Sequence, residues 1–110
     1  MKFAPTPESD ETMVHFEVES LDGKSIEFSV PKAEYRSLPV NRKIRSWVEK
    51  NLDKITDEDL FIHMIEVYSK PAATFLRTAE IQAGQLTAMM DHYKSESAVD
   101  EGESSASSES

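Results

Sequence analysis

Two short alternating stretches constrain the fold of this chain more than anything else in it. Val14-His15-Phe16-Glu17-Val18 and Ile26-Glu27-Phe28-Ser29-Val30 alternate apolar and polar residues, the two-residue period of strands buried on one face. Between them lies Ser20-Leu21-Asp22-Gly23-Lys24, which reads as the turn of a β-hairpin over residues 14–30. A two-residue Asp22-Gly23 loop would pair Val18 with Glu27 and send the two apolar sets to opposite faces. A three-residue loop, Leu21-Asp22-Gly23, pairs Val18 with Ile26, Phe16 with Phe28 and Val14 with Val30. It unites the apolar face and puts Gly23 at the left-handed position that such loops need, so this is the expected register.

An isolated hairpin is marginal in water, so its apolar face needs cover, and the rest of the chain supplies helical patterns. Pro31 ends the second strand, and a helical turn fits residues 32–37. Val40, Ile44, Trp47 and Val48 recur at helical spacing, predicting a helix over about 39–51 with Pro39 as a good first residue. Thr56 followed by Asp57-Glu58-Asp59 reads as an N-cap with acids in the first turn. It opens a helix over about 57–70 whose Leu60, Phe61, Met64, Ile65 and Tyr68 share one face. Pro71 starts a further helix over about 72–80. Leu86, Met89, Met90 and Tyr93 define a last one over about 84–94, with a break near 81–84. The expected class is α+β: a hairpin packed on three to four helices, forming one folded domain over residues 14–94.

Both flanks differ from this body. Residues 1–13 contain Pro5 and Pro7 and read as a flexible segment with no signal-peptide core. Residues 95–110 hold seven serines, five carboxylates, no Lys or Arg, and nothing apolar larger than Val99. They cannot bury enough surface to offset the entropy of ordering, so a disordered acidic tail is expected. The net charge of −9 divides accordingly: −5 in the tail, −2 in the opening segment and −2 in the body. A nearly neutral body does not imply a nucleic-acid surface, and no apolar run approaches membrane-spanning length.

Little in the sequence suggests catalysis or a cofactor. There is no cysteine, so disulfides, thiolate nucleophiles and thiolate metal sites are out. His15, His63 and His92 lack partners at metal-ligand spacing. Asp53, Asp57 and Asp59 lack the glycine and terminal glutamate of a calcium loop, and helix capping explains them. The three glycines are isolated, so no phosphate loop exists. Catalytic, cofactor-binding and metal residues are therefore all expected to be none. Arg36, Arg42, Lys43 and Arg45 read as a solvated helix face, a place for phosphate or an acidic partner, or a docking place for the chain's own tail. Met64, Met89 and Met90, with Leu86 and Tyr93, form a soft apolar set that suits either core packing or varied helical partners.

The last helix and tail carry a resemblance. Gly84-Gln85-Leu86 through Met89-Met90-Asp91-His92-Tyr93, then Ser95-Glu96-Ser97 and Gly102-Glu103-Ser104-Ser105-Ala106-Ser107-Ser108, resembles the tail assembly chaperones of long-tailed bacteriophages of actinobacteria. Leu21-Asp22-Gly23-Lys24 and Phe28-Ser29-Val30-Pro31 match the early part of the same pattern. Gln82-Ala83 departs from it, where a Thr-type helix cap is expected. The resemblance implies a non-enzymatic chaperone in the host cytoplasm, absent from the finished virion, that keeps the largely helical tape measure protein soluble while tube subunits polymerise. It also implies a longer product made by ribosomal frameshifting, so that this chain is the short form. Implied partners are the tape measure protein, the tail tube protein, the longer form and further copies of this chain, with no nucleic acid and no membrane. Met64, Phe75, Leu86, Met89, Met90 and Tyr93 are the expected partner-binding residues. The alternative is a small acidic adaptor or inhibitor that holds a basic protein through its tail.

Overall fold

A computed structural model describes residues 1–97 of the chain. Most of the expected tail lies outside the described residues, which stop before Ala98. The architecture is α+β: an N-terminal antiparallel hairpin of β1 (Met13–Glu19) and β2 (Ser25–Pro31) followed by helices. A 3-10 turn (Ala33–Tyr35) leads into α1 (Leu38–Lys50), α2 (Asp57–Tyr68), α3 (Lys70–Thr78) and α4 (Ala83–Glu96).

The hairpin takes the register that unites its apolar face, with Val14 opposite Val30, Phe16 opposite Phe28 and Val18 opposite Ile26. Ser20 N–H donates to the Lys24 carbonyl at 2.7 Å and Gly23 N–H to the Ser20 carbonyl at 3.1 Å, closing the three-residue loop. Gly23 has φ of 87°, the left-handed conformation that a side chain makes costly.

The helix starts follow local chemistry. Ser37 caps α1, its Oγ accepting from Val40 N–H at 3.3 Å. The helix therefore begins at Leu38, one residue before Pro39, and the proline occupies a first-turn site whose N–H has no intrahelical partner anyway. Thr56 and Asp59 form a reciprocal capping box on α2, each bond 3.1 Å, as the acid-rich start suggests. Ser69 serves two helices: its N–H closes α2 on the Ile65 carbonyl at 2.8 Å, and its Oγ accepts from Ala72 N–H at 3.2 Å to open α3. The chain thus turns between helices through one residue, and α2 ends at Tyr68 rather than near Lys70.

The α3–α4 break falls at residues 79–82. Gln82 N–H donates to Gln85 Oε1 at 2.7 Å, the reach-back bond that a glutamine at the third helical position makes to the N-cap. The same Gln85 donates from Nε2 to the Glu19 carbonyl at 2.8 Å, and Leu21 N–H donates to the Glu80 carbonyl at 2.8 Å. These bonds fasten the start of α4 to the hairpin. Its end runs on to Glu96, past Lys94, and Ser97 Oγ accepts from Ala33 N–H at 3.1 Å. Ser95 and Glu96 are therefore helical and belong to the body.

The core centres on α2, which contacts α1, α3 and α4. Its Phe61, Ile62, Met64 and Ile65 are all buried, so it buries more than the single face its periodicity suggests. Val14, Val30 and Ile65 are the largest side chains shut off completely from solvent. An aromatic chain runs through this core. Phe16 stacks on Phe28 with centroids 5.2 Å apart and meets Phe61 edge-on at 6.1 Å, and Phe61 meets Tyr93 edge-on at 6.1 Å. It joins the hairpin to α2 and α4 through contacts of favoured geometry.

Candidate functional site

An apolar groove of about 290 Å³ opens between α2 and α4, with α1 contributing to its wall. Leu60, Phe61 and Met64 come from α2, Met90 and Tyr93 from α4, and Ile44 from α1. Helical spacing explains the set. Residues 60, 61 and 64 fall on adjoining positions of one α2 face, and 90 and 93 are one turn apart on α4. Three charged residues stand among them: Arg36, just before α1, Lys94 on the last turn of α4, and Asp57 on the first turn of α2.

The groove has a firm side and a soft one. Phe61, Met64 and Tyr93 are buried, and the Tyr93 phenol donates to the Pro31 carbonyl at 2.8 Å. Leu60 and Met90 are only half-buried and pack against that core. They present apolar surface that a partner can cover, and methionine adapts readily to different shapes.

The structure thus brings together three of the six expected partner-binding residues: Met64, Met90 and Tyr93. Met89, also on α4, is buried in the core instead. Leu86 is half-buried one turn before Met90 and packs on the core. Phe75 lies on α3 and lines a different hollow of about 520 Å³ beside the hairpin turn, with Ile26 and Pro71. Sequence reasoning placed Ile44, Leu60 and Phe61 on apolar helix faces without linking them to the groove. It singled out Arg36 for its charge and passed over Lys94. The link is tertiary, because α1, α2 and α4 meet only in the folded chain.

A polar cluster lies elsewhere, where α1, α2 and α3 meet. The Trp47 indole stacks on His63 with centroids 4.1 Å apart and planes 9° from parallel. His63 Nδ1 is 3.6 Å from Glu66 Oε1, and Arg77 grips Glu66 with two hydrogen bonds of 3.1 and 3.2 Å. Burial lowers the His63 pKa against the opposing pull of Glu66. The Arg77 hydrogen bonds hold the Glu66 carboxyl below its ordinary value. His63 Nε2 is closed off from solvent with no hydrogen-bond partner, and the cluster acts as a fastening between helices.

Among the described residues no three His, Cys, Asp or Glu side chains converge as metal ligands would, and no helix is long and apolar enough to cross a membrane. Protein-family models, curated proteins and solved structures were compared with the chain, and none matches.

Proposed function

We propose that this chain is a non-enzymatic tail assembly chaperone of the kind encoded by long-tailed actinobacteriophages. In this reading it works in the host cytoplasm and holds apolar helical stripes of the tape measure protein out of water until tube subunits enclose them. The observation that carries the proposal is the groove of Leu60, Met64, Met90 and Tyr93. It is lined mainly by aliphatic, methionine and aromatic side chains, as sites that receive amphipathic helices are. The sequence resemblance supplies the client; the groove supplies a way of holding it.

Coexpression with the tape measure protein of a long-tailed actinobacteriophage is the direct experiment. The wild-type chain should move the tape measure protein into the soluble fraction and co-purify with it. Leu60→Glu and Met90→Glu, at half-buried positions that can tolerate a charge, should each abolish co-purification while the chain itself stays folded by circular dichroism. A tape measure protein that stays insoluble with wild-type chain would refute the proposal. Shortening the chain separates it from the acidic-adaptor reading: a protein ending at Ser97, which keeps the Ala33 anchor, should still solubilise the client. Loss of all binding in that protein would favour the tail-based adaptor.

A further inference from the structure

The charges around the groove are lopsided, and they narrow what it can accept. Arg36 and Lys94 line it directly, against a single carboxylate, Asp57. Neither Arg36 nor Lys94 takes part in the His15–Asp10, His63–Glu66 or Arg77–Glu66 ion pairs. Arg36 also has a buried Nε without a hydrogen-bond partner. The apolar trough is therefore bordered by two cations against one carboxylate.

The geometry points to a specific occupant: an amphipathic helix from another protein whose apolar stripe is bordered by Asp or Glu. The apolar stripe fills the space over Leu60 and Met90 while its acidic margins face Arg36 and Lys94. Apolar burial then supplies affinity, and charge complementarity supplies selection among helices and a faster encounter. This rests on the groove being the client site, and adds to it a rule for which client segments bind. Residues 98–110 carry Asp100, Glu101, Glu103 and Glu109 but little apolar surface, so they match the rim without matching the trough.

Fluorescence anisotropy with the full-length protein can decide it. Three labelled peptides of about 18 residues, long enough for helix to form, share one Leu/Ala stripe and carry Glu, Gln or Lys at the bordering positions. The Glu peptide should bind about three- to tenfold more tightly than the Gln peptide, the range expected of a few exposed ion pairs, and the Lys peptide should bind most weakly. High salt should erase that ranking while leaving the Gln peptide bound. R36Q/K94Q should remove most of the preference for Glu and keep Gln-peptide affinity; K94Q alone, at an exposed position, gives a partial loss and guards against misfolding of the double variant. Equal binding of the Glu and Lys peptides, or a preference that survives R36Q/K94Q, overturns the proposal. So does a Glu peptide that binds only once the chain is cut after Ser97, because the tail would then be the occupant. Failure of the charge ranking with Gln-peptide binding intact refutes this rule alone, leaving tape-measure solubilisation as the separate measure of function.

Discussion

Tyr93 donates a 2.8 Å hydrogen bond to the carbonyl of Pro31, joining the last helix to the final residue of the hairpin. The same ring packs edge-on against Phe61 and forms part of the groove wall. One side chain therefore closes the fold and shapes the surface proposed to bind. A wall pinned in this way loses little freedom when a partner arrives, so less of the interaction energy goes into ordering it.

Tyr93→Phe removes the hydroxyl and keeps the ring. It should cost about 1 kcal/mol, the net worth of one hydrogen bond. Tyr93→Ala, which also opens a cavity beside Phe61, should cost about 3–5 kcal/mol, as large aromatic truncations do. Urea unfolding at pH 7.5 measures both, and equal losses would mean that the hydrogen bond, and not the ring, holds α4.

Gly23 sits at φ of 87° with nothing within 4 Å of where a Cβ would be. Gly23→Ala therefore meets no clash and should lose about 1–2 kcal/mol from conformation alone. Gly23→Asn should lose less, since asparagine tolerates the left-handed region. Thermal melts of the two variants compare them, and an alanine variant as stable as wild type would show that the loop can relax to another turn.

Ser69→Ala deletes the Oγ that caps α3 while sparing the N–H that closes α2. The expected cost is about 1 kcal/mol, with Ser69→Asp recovering most of it as another good N-cap. Hydrogen exchange should place the loss at the start of α3, at Ala72 N–H above all. Uniform loss of protection across α2 and α3 would contradict the assignment of separate roles to the two groups of Ser69.

His63 sets a pH dependence whose sign follows from its environment. Burial lowers its folded pKa below the ordinary 6.5, so below that value the unfolded chain binds the additional proton. Stability is then complete above about pH 6.5 and declines as pH falls toward the lowered folded value. Glu66 acts in a lower window: its depressed pKa stabilises above its ordinary value near 4.5 and is lost below it. The urea midpoint of the wild type should thus fall between pH 7.5 and 5.5. H63F keeps a ring on Trp47 and should flatten that slope while His15 and His92 remain. A slope unchanged in H63F would assign the effect to another group.

Much of the hairpin was legible because its information is local and redundant. One loop length reconciles Val14, Phe16 and Val18 with Ile26, Phe28 and Val30, and a single glycine sits where that loop needs it. Helix starts at Thr56 and around Pro39 were legible for a similar reason, since capping involves residues three apart. The end of α4 was less so: Ser95 and Glu96 have tail-like composition, yet Ser97 meets Ala33 across the fold and the helix runs up to it.

The candidate site divides in the same way. Periodicity alone determined that α1, α2 and α4 each carry an apolar stripe, because helical geometry ties spacing to a face. Only the tertiary structure decided which part of each stripe is consumed by the core. It sank Met89 into the interior, set Phe75 in a separate hollow, and left Leu60 and Met90 half-covered beside Arg36 and Lys94. The physical reason is that burial depends on which neighbour packs against a residue. α2 is enclosed by three helices, and no spacing rule within one segment records how many partners will surround it.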